Sequence, residues 1–215
     1  MTSVTCIDTK IYEDGPCFER AFSCISDHRK EKILKYRFAK DRNLSLGAAV
    51  LLDEALKEKG FREKDMIYLE NEKGKPEFAG NIPFFFNISH SGTMAMLAVS
   101  DFPVGCDIEE EKDADLRMAE RWFSENEKRY VFAGKKEAER KKRFYRCWTR
   151  KESFVKMLGE GLARPMDSYC VVNKNGRAEC PAEGDTAYRF FENMLPGYYL
   201  CVCAERKGGV GWRLR

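Results

Sequence analysis

The sequence predicts an α+β fold made of two consecutive halves. Three observations support this prediction: helical and strand-like segments occur in both halves, tight-turn residues separate neighbouring strands, and Pro103 marks a midpoint. The chain has 215 residues, of which 43% are apolar and 34% charged, so it is long enough to bury a core. We therefore place the halves at residues 1–102 and 103–215.

The first half begins with residues 4–11, whose strand-like composition predicts a β-strand. Ser26 is a typical helix cap, and the basic segment after it predicts a helix to about residue 40. Leucines and alanines at helical spacing predict a second helix over residues 41–60, ending at a glycine. Three predicted strands complete this half: 66–70, 84–89 and 93–100.

The second half opens with a predicted strand at residues 104–109. The capping box Ser124-x-x-Glu127 predicts a helix that ends at Gly134. A long basic helix is predicted over residues 136–158, where glycines stop it. The predicted strands of the tail are 168–172, 187–192 and 198–204, with an Asn-Gly hairpin turn after the first.

Composition excludes several classes of protein. The net charge is only +3, which excludes a nucleic-acid condensing protein but allows a local basic surface. We find neither an apolar run long enough to span a membrane nor a signal-peptide pattern, so we expect no membrane association. The nine cysteines are scattered, odd in number and without a C-x-x-C pair. They are typical of reduced, mostly buried thiols in a cytoplasmic protein.

Asp107 and Glu109 are the first candidates for chemistry. Residues two apart in a strand share a face, so both carboxylates point the same way while Ile108 points to the core. The alternative is a solvated edge strand that runs into an acidic stretch and has no function.

Trp148, Glu152 and Lys156 are the second group, at positions i, i+4 and i+8 of the long predicted helix. Their spacing puts them on one helix face, although an ordinary surface ion pair beside a tryptophan has the same pattern. The turn that contains Ser89, His90, Ser91 and Gly92 is the third feature, and its two hydroxyls, imidazole and glycine suit phosphate oxygens. The alternative for this turn is a capped hairpin with a surface histidine.

The three features would form one site if Glu152 lies close to Asp107 and Glu109, because three carboxylates would then converge. Each like-charged pair at ~4 Å would cost roughly 4 kcal/mol at an effective dielectric near 20. A hard divalent cation would neutralise such a cluster, and a set of oxygen ligands favours Mg²⁺. Nearby lysines and a histidine would hold the rest of a phosphorylated substrate.

Four segments occur together in a distinctive order: GKPEF at 74–78, FNISHSG at 86–92, VGCDIE at 104–109 and FYRCWTRKESFVKMLGEGL at 144–162. In order and spacing they resemble the 4′-phosphopantetheinyl transferase superfamily, Sfp type. The pattern W-x-x-K-E-S-x-x-K-x-x-G-x-G-L is highly specific, and the resemblance covers roughly residues 20–204.

The resemblance implies a monomer of two similar α/β halves packed as a pseudo-dimer, with coenzyme A and Mg²⁺ bound between them. It implies that Asp107, Glu109 and Glu152 ligate Mg²⁺. It also implies two sets of coenzyme A contacts, one at the phosphates and one at the adenosine end: Lys75, Ser89, His90 and Lys156, and then Arg29, Lys32 and Ser45. Arg29 stands where a lysine is common and Asp53 where the family often has arginine.

The activity implied by the resemblance is transfer of phosphopantetheine from coenzyme A to a serine of an apo acyl, peptidyl or aryl carrier protein. Glu152, or a water on the metal, would take the serine proton, and Lys156 would stabilise the leaving 3′,5′-ADP. Glu152 and Lys156 are thus the expected catalytic residues.

Two rival functions remain open at this point. Residues 135–151 are strongly basic with interleaved aromatics, as in a nucleic-acid-binding module. A catalytically dead scaffold is the other rival, and retention of all three carboxylates and Lys156 counts against it. We expect coenzyme A and a carrier protein as partners, and neither nucleic acid nor membrane.

Overall fold

A computed structural model describes residues 1–70, 76–80, 84–184, 186–206 and 209–215. Within these residues the chain combines six α-helices with nine strands, which confirms the predicted α+β class. No helix in the described ranges is long and apolar enough to cross a membrane.

The first half contains three helices and five strands. In chain order they are β1 (Thr2–Asp8), α1 (Gly15–Ser23), α2 (Asp27–Leu34), α3 (Ala39–Lys57), β2 (Tyr68–Glu70), β3 (Pro76–Phe78), β4 (Phe85–Ser91) and β5 (Met94–Ser100). The second half contributes β6 (Gly105–Glu110), α4 (Arg117–Trp122), α5 (Glu125–Phe132), α6 (Glu137–Leu158), β7 (Tyr188–Leu195), β8 (Tyr198–Glu205) and β9 (Val210–Leu214).

The two main sheets have the same connectivity. In each, a first strand is followed by helices and then by an antiparallel hairpin whose second strand pairs with the first strand. The order is β4-β5-β1 in the first sheet and β7-β8-β6 in the second, with all of these pairs antiparallel. The final strand, β9, departs from the pattern because it crosses to the first sheet and pairs with β1 in parallel.

Three apolar clusters fill the interior. One lies under α3 and includes Leu52 and Leu97, and another lies under α6 and includes Phe154 and Tyr199. The third cluster joins the two sheets, because it contains buried residues of β1 and β5 together with buried residues of β6 and β8. The halves are therefore packed against each other through apolar side chains, and the site described below lies beside this junction.

Most predicted elements are confirmed, but the predicted helix over 26–40 is wrong in its second part. That helix ends at Leu34, and the chain turns before α3 begins after Phe38. Phe38 has the extended backbone of a helix cap (φ −97°, ψ 139°), so the two helices are separate. The sequence patterns also gave no indication of α1, β3, α4 and β9.

The predicted strand over 168–172 is also wrong. This segment is a short 3-10 turn followed by irregular chain with one bridge, between Val172 and Ala178. Two of its backbone groups bond to buried side chains instead of a neighbouring strand: the Tyr169 carbonyl accepts from Lys151 Nζ, and the Val171 N–H donates to Glu127, at 2.8 Å each.

Candidate active site

A cleft of about 520 Å³ lies between α2, α3 and β4 of the first half and β6 and α6 of the second. Every predicted site residue that the structure describes lines this cleft: Arg29, Lys32, Ser45, Ser89, His90, Asp107, Glu109, Glu152 and Lys156. The remaining predicted contact, Lys75, lies outside the described residues. Residues more than 100 positions apart in the chain thus meet in one place.

Strand β6 carries two of the carboxylates on the face that meets α6. Cys106 and Ile108 alternate with them and are fully buried on the opposite face, as the strand period requires. Gly105 allows the close contact between strand and helix, because a Cβ atom there would lie 1.9 Å from the Ser153 carbonyl oxygen. The missing side chain therefore sets how near β6 and Asp107 come to the helix.

Helix α6 supplies the other functional side chains from one face, as the spacing of Trp148, Glu152 and Lys156 predicts. The helix ends at Leu158 and is capped by Gly159, which has the left-handed conformation (φ 72°) that favours glycine at a helix terminus. Lys156 is consequently held in the last turn, where a positive charge is favourable next to the helix carbonyls.

Asp107, Lys156 and Ser89 form a compact polar triangle. Lys156 Nζ lies 2.6 Å from Asp107 Oδ1 and 3.1 Å from Ser89 Oγ. Ser89 in turn donates to Asp107 Oδ1 at 3.0 Å. Because Asp107 is almost completely buried, this ion pair sits in a medium where charge–charge attraction is stronger than in water.

Glu109 is held from two sides. Ser91 Oγ donates to Glu109 Oε2 at 2.9 Å, and the Trp148 indole nitrogen donates to Oε1 at 3.2 Å. Trp148 therefore donates a hydrogen bond to Glu109 in addition to stacking on Phe144. Ser91 is one of the two hydroxyls that the sequence offers for phosphate, but here it holds a carboxylate, because it follows Ser89 by two residues and lies on the same side of β4.

The carboxylates raise one another's proton affinity. Burial, followed by the charge of Asp107, raises the pKa of Glu109 and of Glu152. Burial also raises the pKa of Asp107, although Lys156 opposes the change. Burial opposes the charge of Lys156 as well, yet Asp107 outweighs it and raises the pKa of Lys156 to about 12. Three carboxylates face one ammonium group, and the excess negative charge attracts cations.

The donor set suits a hard divalent ion, because it consists of carboxylate oxygens. Asp107 Oδ2 is buried and has no hydrogen-bond partner among the described residues, which leaves one oxygen in need of a cation or a donor. The three carboxylates are nevertheless not drawn together: over the described part of the chain, no group of three or more His, Cys, Asp or Glu side chains is close enough to hold a metal ion.

The other end of the cleft is basic. Arg29 is buried, and its Nε donates to the Tyr68 hydroxyl at 3.3 Å and lies 3.6 Å from Glu63 Oε1. Glu63 is completely buried and also accepts from the backbone and hydroxyl of Ser26, the cap of α2. Sequence patterns gave no indication that Glu63 and Tyr68 hold Arg29, since they lie more than 30 residues further along the chain.

His90 is exposed at the side of the cleft. Partial desolvation, followed by the charge of Lys156, lowers its pKa, so the imidazole is mainly neutral near pH 7.

Asp53, which stands where the family often has arginine, does not line the cleft. It is buried and binds Lys57 Nζ at 2.6 Å and the Glu63 N–H at 3.0 Å. Asp53 therefore fixes the turn that presents Glu63 to Arg29.

The end of the basic segment at residues 135–151 is not the open surface expected of a nucleic-acid-binding helix. Lys151 and Glu127 form an ion pair at 2.8 Å with both side chains fully buried. Arg150 is buried and shares Glu192 with Arg146. The positive charges nearest the end of this segment are therefore used inside the fold, and this observation counts against the nucleic-acid alternative.

Comparison with known proteins agrees with the geometry. Residues 103–203 match the model of the 4′-phosphopantetheinyl transferase superfamily, and residues 14–101 match that of the 4′-phosphopantetheinyl transferase N-terminal region. The chain is similar to 4′-phosphopantetheinyl transferase ffp of Bacillus subtilis, with 34% identity over 204 residues and 91% of each chain covered. It is equally similar to 4′-phosphopantetheinyl transferase Sfp of Bacillus subtilis strain 168, with 34% identity over 202 residues and 90% of each chain covered.

A more distant relative is the L-aminoadipate-semialdehyde dehydrogenase-phosphopantetheinyl transferase of Xenopus laevis. It is 31% identical over 153 residues, which is 65% of this chain and 51% of the relative. The two bacterial matches span nearly the whole chain and include both walls of the cleft. The chain therefore belongs to the 4′-phosphopantetheinyl transferase superfamily, and within it to the Sfp type.

Proposed function

We propose that this protein transfers the 4′-phosphopantetheine group of coenzyme A to a serine hydroxyl of an apo carrier protein and releases 3′,5′-ADP. One observation supports this proposal above the others: a single cleft has a basic end and a carboxylate-rich end, as a phosphorylated substrate with a bound cation requires. Membership of the superfamily supports the same reaction.

The basic residues would bind the phosphates of coenzyme A. Arg29 and Lys32 on α2 would contact the adenosine end, with Ser45 on α3 opposite them. Ser89, His90 and Lys156 would face the pyrophosphate. Arg29 is buried and already fixed by Glu63 and Tyr68, so it would bind phosphate without losing much side-chain entropy. Lys75 remains a predicted phosphate contact.

Asp107, Glu109 and Glu152 would hold Mg²⁺. The bound ion would supply neutralisation of charge on the phosphate under attack. The unpartnered Asp107 Oδ2 and the raised pKa of each carboxylate support this assignment.

Glu152 is the base that we propose for the transfer step. The serine Oγ forms a bond to the phosphorus of coenzyme A that carries the pantetheine arm, the bond from that phosphorus to the oxygen of 3′,5′-ADP breaks, and the serine proton passes to Glu152. The raised pKa of Glu152 improves it as a proton acceptor. Lys156 donates to the departing phosphate oxygen and so stabilises the charge that develops there.

The arrangement of the chain belongs to the same proposal. We infer two related halves, residues 1–102 and 103–215, packed as a pseudo-dimer in a cytoplasmic monomer. The identical connectivity of the two sheets supports this relationship, as do the separate family matches on either side of residue 102. Strand β9 is the part of the second half that has joined the first sheet.

Mass spectrometry of apo carrier proteins tests the activity. Purified acyl, peptidyl and aryl carrier proteins are incubated with the enzyme, coenzyme A and Mg²⁺, and a parallel sample contains EDTA. We expect the phosphopantetheine mass on the carrier serine with Mg²⁺ and little of it with EDTA. A panel of carriers that all remain in the apo form would contradict the proposed function.

A further inference from the structure

The two sheets meet along two strands that each stand at the end of their sheet, β4 and β6. In an antiparallel pair only every second residue turns its N–H and C=O towards the neighbour, so alternate N–H groups of β6 face away from β8. At Cys106, Ile108 and Glu110 these outward N–H groups donate to side chains of β4.

The acceptors on β4 are three side-chain oxygens at positions i, i+2 and i+4. Asn87 Oδ1 accepts from Cys106 at 2.8 Å, Ser89 Oγ accepts from Ile108 at 3.3 Å, and Ser91 Oγ accepts from Glu110 at 3.0 Å. The separation in sequence is 19 residues each time. The three bonds therefore form a regular side-chain ladder between strands that run in the same direction.

Both serines of this ladder also touch a carboxylate of the cleft. Ser89 donates to Asp107 and Ser91 donates to Glu109, each to the residue just before the N–H that it accepts. Asn87 has no such second task, because the corresponding residue on β6 is Gly105. A hydroxyl group can donate one hydrogen bond while it accepts another. Each serine can therefore bind the β6 backbone and a carboxylate at the same time, whereas a backbone carbonyl of β4 could only accept from β6 and could not donate to the carboxylate.

We propose that the ladder of Asn87, Ser89 and Ser91 sets the register between the two halves, and that Ser91 is a positioning residue that acts through Glu109. The role of Ser91 rests on the proposed function, because that function makes Glu109 a ligand of Mg²⁺. Ser91 fixes one oxygen of Glu109 and Trp148 fixes the other, so the carboxylate is oriented before any cation arrives.

Amide hydrogen exchange tests the ladder without any reference to activity. In Ser91→Ala the Glu110 amide loses its acceptor, and in Asn87→Ala the Cys106 amide does. We expect faster exchange at that one amide in each variant, and near-normal exchange there in Ser91→Thr. Ser100→Ala is the matched control, because Ser100 Oγ also accepts a backbone N–H, from Phe102, but its other hydrogen bond goes to Thr2 on β1 and not to a carboxylate. Unchanged exchange at Glu110 in Ser91→Ala would overturn the ladder.

The role of Ser91 towards Glu109 needs a second measurement. We expect Ser91→Ala to weaken Mg²⁺ binding in the presence of coenzyme A by about 10–100-fold by calorimetry, and to raise the Mg²⁺ concentration for half-maximal transfer equally. Ser91→Thr should recover most of the loss, and Ser100→Ala should match the wild type. In a Glu109→Gln background the Ser91 change should add little. Full additivity of the two changes would overturn the positioning role, whereas a wild-type enzyme that modifies no carrier would contradict the proposed function and leave the exchange result standing.

Discussion

Lys156 Nζ lies 2.6 Å from Asp107 Oδ1, so the two residues predicted to bind phosphate and metal are bound to each other. The pair keeps a buried carboxylate compensated when neither ligand is present. Phosphate would compete with Asp107 for the ammonium group, and a cation would compete with Lys156 for the carboxylate. Phosphate bound to Lys156 would therefore leave Asp107 available to the cation, and a cation bound to Asp107 would leave Lys156 available to phosphate. For this reason we expect coenzyme A and Mg²⁺ to favour each other's binding.

Lys156→Ala is the first prediction. Coenzyme A affinity should fall by about 10–100-fold, which corresponds to one hydrogen bond to a charged group, and turnover should fall as well because Lys156 also faces the leaving phosphate. Calorimetry and steady-state kinetics measure the two effects. Lys142→Ala is the control, since Lys142 is an exposed lysine of the same helix outside the cleft. Unchanged affinity in Lys156→Ala would show that this lysine does not contact phosphate.

Glu152→Gln should lower turnover and raise the free energy of unfolding. The pKa of Glu152 is raised in the folded protein, so the folded state gains stability when this group is protonated and loses that stability as the pH rises through the raised pKa. The neutral amide avoids the loss. We expect the variant to unfold with a free energy roughly 0.5–2 kcal/mol higher than the wild type at about pH 8, and the difference to shrink towards about pH 4.

Urea unfolding in EDTA measures this difference, and carrier modification measures the accompanying loss of turnover. Glu137→Gln is a suitable control, because Glu137 is an exposed carboxylate on the same helix that pairs with Lys141. It should show no gain at high pH. A Glu152→Gln protein that is less stable than the wild type at every pH would mean that burial does not penalise the charge.

Features that depend on neighbouring residues could be predicted from the sequence, whereas features that depend on contacts between residues far apart in the chain could not. Helix α6 and the face shared by Glu152 and Lys156 follow from local periodicity, and the structure agrees with them. The 168–172 segment has the composition of a strand, yet buried groups of Lys151 and Glu127 bind two of its backbone groups, and no local pattern indicates such contacts. The assembly of the cleft came from motif resemblance, because periodicity alone does not bring Ser89 to Asp107.

The Lys151–Glu127 pair should be important for stability. Both side chains are completely buried, and Glu127 also accepts N–H groups from Ser124 and Val171. Removing one partner leaves an uncompensated buried charge, so Lys151→Met should lower the free energy of unfolding by about 3–5 kcal/mol. Urea unfolding checks the value.

Two variants interpret that result. Lys128→Met breaks the exposed pair with Glu125 on α5 and should change stability by less than about 1 kcal/mol. The double variant Glu127→Gln with Lys151→Met removes both charges, and we expect it to recover part of the loss. Equal destabilisation by Lys151→Met and Lys128→Met would argue that the buried pair has no special weight.

Asp107→Ala and Glu109→Ala should differ in their response to metal. Asp107 is the more buried and has the unpartnered oxygen, so its removal should lower transfer at least about 100-fold at any Mg²⁺ concentration. Glu109→Ala should be milder, because water fills a coordination place, and excess Mg²⁺ should restore much of its activity. Mg²⁺ titrations of carrier modification compare the two. Near-normal activity of Asp107→Ala at limiting Mg²⁺ would contradict the metal assignment.

His90 should take up a proton when coenzyme A binds. Partial desolvation and then the charge of Lys156 lower its pKa in the free protein, so the ring is mainly neutral near pH 7. A phosphate dianion beside the ring favours the protonated form of His90 and raises its pKa, so the ring takes up a proton from solvent.

Calorimetry in two buffers with different ionisation enthalpies counts the proton that His90 takes up. Coenzyme A's own phosphate contributes equally in wild type and in His90→Gln, so the difference between them isolates the histidine. The wild type should take up more protons than the variant between about pH 6 and 7, and the ratio of wild-type to variant affinity should fall as the pH rises through this range. Identical proton counts in the two proteins would remove His90 from the phosphate contacts.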